Sequence, residues 1–170
     1  MTEDFKTEEL LFMARKIGMD LTTLIEFYFK NEDMSGIQAY FMVYILRHHP
    51  EGTYLTDIAR ETGVSKSTLS ALIKKLREKG YLYFQENPCD VRKKTVLPTE
   101  KLKMEGNAFL KKAEEMEDEI CSVLSRQEKI QLLELEQKLL AQLSRMEHDE
   151  TKKDRRFIYR EKSFATAQTV

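Results

Sequence analysis

Two cysteines, three histidines and no tryptophan are spread over 170 residues. Cys89 and Cys121 are too few for a disulfide framework and follow no metal-ligand spacing. No apolar run reaches the roughly 18 residues of a membrane-spanning helix. The N-terminal Met1-Thr2-Glu3-Asp4-Phe5 is acidic and lacks the basic and apolar regions of a secretory signal. There is no Gly/Ser-rich linker, no internal repeat and no glycine-rich phosphate loop. No nucleophile sits beside a base, and His48, His49 and His148 join no metal cluster. These absences exclude a disulfide-stapled scaffold and a helical membrane protein. They lead to the expectation of a cytosolic protein that is not an enzyme and carries no cofactor or metal.

What is present is charge and amphipathic helix. Charged residues make up 34% and hydrophobic residues 41%, the balance of a helix-rich globular protein rather than a disordered one. The length suits one compact domain with appended helices. The formal net charge of −1 hides an asymmetry. Residues 53–98 carry 9 basic and 5 acidic side chains, a net of +4, whereas 1–52 and 99–150 are net −4 and −5. A basic island in an acidic frame is what a polyanion would meet.

Periodicity divides the chain into helix, helix, helix-turn-helix, hairpin, helix, helix. The spacing of Leu10, Ala14, Ile17, Leu21, Leu24 and Tyr28 predicts a helix from about Thr7 to Lys30 with a lengthwise seam, widened by Leu11, Ile25 and Phe29. Ser35 and Gln38 form a capping box, and a helix should follow to His48 with Ile37, Phe41, Tyr44 and Ile45 inward. Residues 55–62 read as a short helix, with Ile58 and Ala59 facing inward and Gly63 at its left-handed end. Ser65 caps the next helix, whose Leu69, Leu72, Ile73 and Leu76 face inward up to Gly80. Segments 81–85 and 95–97 flank a long polar tip, "NPCDVRKK", as a hairpin would. A long helix should run from Thr99 to about Leu124. A second capping box, Ser125 with Glu128, begins a last helix carrying Ile130, Leu133, Leu140 and Leu143.

A short helix, a glycine turn, a second helix and a hairpin make a winged helix-turn-helix, an α+β element in a mainly α chain. At about 100° per residue, the face opposite Leu69, Leu72, Ile73 and Leu76 holds Ser67, Ser70, Ala71 and Lys74, with Thr68 and Lys75 on one flank and Lys66 and Arg77 nearer the other. Short hydroxyl side chains there allow close approach to base edges and phosphates. The helix N-terminus favours phosphate, and Lys74 and Lys75 lie where flanking phosphates run. The same geometry also occurs in protein–protein adaptors, so a winged-helix adaptor without DNA binding is the competing reading.

From Leu55 to Leu82 the sequence resembles the recognition module of the MarR family of bacterial winged-helix transcription regulators. Asp90-Val91-Arg92 matches that family's Asp-x-Arg wing signature, Val96-Leu97-Pro98-Thr99 its exit into a long helix, and Gln38 a common Gln of its second helix. The resemblance extends over roughly residues 7–147. It implies a six-helix dimeric regulator, with a DNA-binding lobe at 34–98, dimerisation helices at 5–33 plus 99–148, and a basic, disordered tail at 149–170. It implies a homodimer, usually a repressor, on double-stranded DNA with a pseudo-palindromic operator whose half-sites lie about 10 bp apart. The DNA-contacting set would be Ser65, Lys66, Ser67, Thr68, Ser70, Ala71, Lys74, Lys75, Asp90, Arg92, Lys93 and Lys94. Arg92 would enter the minor groove, Asp90 would orient it by a salt bridge, and Lys93 and Lys94 would hold phosphates. Pro98 departs from the family pattern and implies an edge position in the sheet.

The signal that relieves DNA binding is less legible. The cysteine of peroxide-sensing relatives has no counterpart in 7–30, and the histidines of zinc-sensing ones have none in 99–124. A small aromatic or amphipathic effector remains, with Phe12, Phe27, Tyr40, Phe41 and Tyr44 as candidate lining and plain core as their simpler role. His48-His49 reads as structural at a helix end, where a positive charge favours the dipole. Cys121 reads as buried and inert. Cys89 has Arg92, Lys93 and Lys94 nearby to favour its thiolate and Asp90 to oppose it. We read the passage as a DNA probe carrying a thiol rather than as a reactive site.

Overall fold

The structure, a computed structural model, describes residues 6–167. The acidic N-terminus at 1–5 and the last three tail residues lie outside the described residues. The elements are α1 (Thr7–Phe29), α2 (Gly36–His48), β1 (Thr53–Tyr54), α3 (Leu55–Thr62), α4 (Lys66–Glu78), β2 (Leu82–Asn87), β3 (Asp90–Pro98), α5 (Glu100–Ile120) and α6 (Arg126–Ala167), with a 3-10 turn at Cys121–Val123. The chain forms two compact units, one up to Glu117 and one from Asp118 onward. Among the described residues no helix is long and apolar enough to cross a membrane.

The first unit is built around α2. Ser35 accepts from the Gln38 backbone N–H and Gln38 returns the bond, completing the expected capping box. Ala39, Phe41, Met42, Val43 and Ile45 are all buried, so α2 is enclosed on most of its circumference. Ile37, expected inward, is instead 39% exposed, and α1 crosses at the adjacent Gly36. A Cβ on Gly36 would stand 2.4 Å from the Glu26 Cα, which leaves no room for any side chain there. Glu26 uses that proximity to accept from the Ile37 backbone N–H at 3.1 Å.

Three strands, not two, form the sheet, in the order β1-β3-β2 and antiparallel throughout. Strand β1 is only two residues long, too short to leave a periodic signal. Its pairing makes β3 the central strand, but β1 reaches only as far as Val96 and leaves Pro98 with a neighbour on one side, the edge position expected for it. Pro98 lies at the end of β3 opposite Leu82, so its missing N–H breaks no pairing. The strands also run farther into the tip than expected, leaving Pro88 and Cys89 as the turn.

Gly63, at φ +70, ends α3 in the left-handed conformation, and its N–H reaches the Ala59 carbonyl at 3.0 Å. On α4, Leu69, Ile73 and Leu76 are fully buried, whereas Leu72 is only half-buried. Leu72 lies on the rim of the apolar stripe rather than at its centre. Ile73→Ala therefore tests this core better. A loss of about 2–5 kcal/mol is expected in denaturant unfolding, as for a large buried aliphatic side chain.

Thr99 fastens the exit from the sheet. Its hydroxyl donates to the Gly80 carbonyl at 2.7 Å and accepts from the Leu102 N–H at 3.3 Å, capping α5. Helix α5 stops at Ile120 rather than Leu124, and Cys121, expected buried, is half-buried in the 3-10 turn. Ser125 and Glu128 form the predicted capping box of α6. Helix α6 then continues to Ala167, through the segment expected to be disordered. Hydrophobic periodicity fades after His148, yet residues 149–167 hold no proline or glycine, so nothing local interrupts the helix.

Candidate nucleic-acid interface

Helix α4 presents a polar face whose N-terminal end is organised by hydroxyls. Ser65 Oγ accepts from the Thr68 backbone N–H at 3.2 Å and lies 3.1 Å from Ser67 Oγ and 2.8 Å from Thr68 Oγ1. Ser65 is thus engaged as a cap, while Ser67 and Thr68 are held in place at the first turn. Lys66, Ser67, Thr68, Ser70, Ala71, Lys74 and Lys75 are all exposed, on the outward side derived from the sequence. Two basic residues, Lys75 and Arg77, lie in the last turn, where they complement the negative helix end.

The wing tip is shaped by two side chains folding back on the backbone. Asn87 Oδ1 accepts from the Cys89 N–H at 2.9 Å, and Asp90 Oδ1 accepts from the Arg92 N–H at 3.1 Å. Asn87 also donates to the Tyr54 hydroxyl at 3.4 Å, tying the tip to the start of α3. The ladder is regular from Leu82↔Pro98 to Glu86↔Lys94 and then jumps to Asn87↔Asp90. Val91, Arg92 and Lys93 therefore have no Cα partner and form a bulge.

The expected salt bridge between Asp90 and Arg92 is corrected here. Among the described residues no ion pair joins their side chains. Asp90 instead holds the Arg92 backbone, because a carboxylate two residues upstream meets the amide more readily than the end of a long side chain. The guanidinium is exposed. With Lys93 and Lys94 it borders a groove of about 400 Å³ whose other lining is Tyr54, Leu55, Thr56 and Asp57. Sequence reasoning did not place the start of α3 beside the wing; β1 brings it there by pairing with β3. Cys89 is exposed with a free thiol.

Two polar clusters brace α2. Arg47 Nη1 donates to both Glu117 carboxylate oxygens at 2.8 and 2.9 Å, and the Tyr40 hydroxyl donates to Glu117 at 2.7 Å. Burial works to raise the Glu117 carboxyl, but the bonds from Arg47 and Tyr40 outweigh it and hold it below the usual range. Burial and the Glu117 bond push the Tyr40 hydroxyl up to about 12. At the far end of α2, Glu61 accepts from the Tyr44 hydroxyl and lies 2.7 Å from His49 Nε2. The bond from Tyr44, followed by that from His49, holds the Glu61 carboxyl below its ordinary range. His49 thus links the end of α2 to α3, the structural role expected for it. No sequence signal pairs it with Glu61.

The five aromatic candidates for an effector site do not share one setting. Phe12 and Phe27 are 66% and 82% exposed on α1. Phe41 is buried and stacks on Tyr44 with ring centroids 5.9 Å apart. Tyr40 packs edge-on against Phe29.

Large apolar side chains remain uncovered on two helices. On α1, Leu10, Leu11, Met13, Ile17 and Met19 join Phe12 and Phe27 at 42–82% exposure. Of the expected seam, burial is completed only near its C-terminal end, at Phe29. On α6, Ile130, Leu133, Leu140 and Leu143 are 43–63% exposed.

Residues 32–93 match the model of the MarR family. No curated protein matches the chain. Among solved structures, the MepR–DNA complex of S. aureus is similar at 25% identity and a TM-score of 0.68, over 82% of this chain and 99% of MepR. A MarR family transcriptional regulator from Listeria monocytogenes, complexed with 26mer DNA, is 19% identical with a TM-score of 0.70, over 78% of this chain and 87% of its own. The transcription regulator MarR from Oenococcus oeni is 20% identical with a TM-score of 0.63, over 80% and 99%. The last two likenesses concern the fold alone.

Proposed function

From the match of residues 32–93 to the model of the MarR family, we propose that the protein is a sequence-specific, double-stranded DNA-binding transcription regulator. We further propose that it acts as a homodimeric, cytoplasmic repressor on a pseudo-palindromic operator. The observation that carries the DNA reading is the joint placement of an exposed hydroxyl-and-lysine face on α4 and an exposed basic run, Arg92–Lys94, at the wing tip. The first suits the major groove and the second the adjacent groove and its phosphates. The MepR–DNA complex, similar over nearly its whole length, supports the same reading.

Within this reading, the lobe at 34–98 contacts DNA. Lys66, Ser67, Thr68, Ser70, Ala71 and Lys74 approach base edges and phosphates, Lys75, Lys93 and Lys94 hold phosphates, and Arg92 probes the minor groove. Ser65 and Asp90 act through the backbone, by capping α4 and by setting the bulge. Helices α1, α5 and α6 form the dimer, covering the apolar side chains that a single chain leaves exposed. A small aromatic or amphipathic effector would bind against the dimer helices and relieve repression. Phe12 lines an open groove of about 830 Å³ along α1 with Leu11 and Met13, bordered by the charged Lys6, Glu8, Glu9 and Arg15.

Salt dependence separates this reading from a protein–protein adaptor. The logarithm of DNA affinity should fall linearly with the logarithm of salt, by about 0.9 per phosphate contacted. Six or more contacts per dimer are expected from the lysines named. A flat response would favour the adaptor.

A further inference from the structure

Arg77 stands at the C-terminal end of α4, exposed and basic, yet its guanidinium does not point freely into solvent. It lies over the Phe84 ring of β2, 4.2 Å from the ring centroid. Lys94 of β3 approaches the same ring at 5.8 Å. Phe84 is half-buried and alternates along β2 with exposed Tyr83 and Gln85, so its ring is on the side of the sheet that meets α4. One aromatic ring thus joins a cation from the helix to a cation from the basic wing. Neither Arg77 nor Lys94 has an ion-pair partner among the described residues. At a partly exposed site, a cation over a ring face is held by the ring quadrupole with geometric preference, which fixes the angle between the elements that supply the groups.

We propose that Phe84 is a positioning residue for DNA recognition: with Arg77 and Lys94 it sets the spacing between the base-reading face of α4 and the wing. This rests on the DNA-binding reading above. Asn87 fastens the wing tip to Tyr54 rather than to the recognition helix. Without the ring, both elements keep their fold and their charge but lose their fixed separation. The two contacts on DNA then no longer form together at full strength.

The test is a double-mutant cycle on the full chain, using the duplex that wild-type protein enriches from random-sequence DNA. Phe84→Leu keeps apolar bulk and all charge, and Phe84→Tyr keeps the ring. Arg77→Gln removes the cation from an exposed side chain and keeps its polarity. Phe84→Leu should lower affinity about 5-fold, from the size of such contacts, and should weaken hydroxyl-radical protection at the wing while protection opposite α4 persists. Arg77→Gln in the Phe84→Leu background should add little, because both act through one contact. Phe84→Tyr should restore wild-type binding and footprint. Strictly additive losses for Arg77→Gln and Phe84→Leu would make Arg77 an independent phosphate contact and overturn the proposal. A wild-type footprint and affinity for Phe84→Leu would also overturn it. If wild-type protein enriches no duplex at all, the DNA reading itself fails, and the stack's role falls with it.

Discussion

A double substitution of Ile17→Glu on α1 and Leu140→Glu on α6 is expected to turn the protein into a monomer and to lower operator affinity by about 10²–10⁴-fold, the avidity lost when two linked half-site contacts become independent. Both side chains are more than half exposed in the single chain, at 55% and 63%. A charge there therefore meets water within one chain but an apolar surface in the proposed dimer. Burying an unpaired carboxylate is costly enough to prevent association. Sedimentation velocity measures the first effect, and binding to a full operator beside a single half-site measures the second. The gap between full and half-site should close. A variant that stays dimeric, or that keeps its preference for the full site, would contradict the assignment of these helices.

Arg92→Ala is expected to weaken operator binding by about 1–3 kcal/mol, roughly 5- to 150-fold, with thermal stability unchanged. The reason for the separation is local. Arg92 sits in a bulge without a ladder partner, and its one described hydrogen bond uses the backbone N–H, which alanine retains. Asp90→Ala should act differently. It removes the acceptor that sets the bulge and should reduce affinity even though aspartate is itself repelled by phosphate. A gain in affinity on removing that negative charge would show that the Asp90 carboxylate matters as a charge and not as a brace. Equal binding of wild type and Arg92→Ala would remove the wing from the account.

The helices of the reading unit were legible because their signals are local. Ser35 with Gln38, Gly63, Ser65 and Gly80 mark helix ends within three or four residues, and the structure places each as its chemistry dictates. The outward face of α4 followed from helical phase alone. What escaped depends on contacts distant in sequence. Strand β1 is two residues long and exists because β3 pairs with it. The meeting of Glu61 with Tyr44 and His49, and of Arg77 with Phe84, joins groups on separate elements that carry no shared pattern. Asp90 and Arg92 were legible as a pair, but not the atom through which they meet. The seam of α1 was visible as periodicity, whereas its exposure within one chain was not, since a stripe looks the same whether a neighbouring helix or a second subunit covers it. For the segment after His148, fading periodicity was a poor guide to helix ending, because propensity without a breaker sustains α6.

The central claim is that two copies of this chain read a two-fold related DNA sequence. Selection of bound duplexes from random-sequence DNA, followed by sequencing, tests it most directly. The account predicts enrichment of a pseudo-palindrome whose half-sites are centred about 10 bp apart, one helical turn, with positions facing Ser67, Ser70 and Ala71 the most constrained. Recovery of no shared sequence, or of a single unrepeated half-site bound by the unmodified protein, would contradict it.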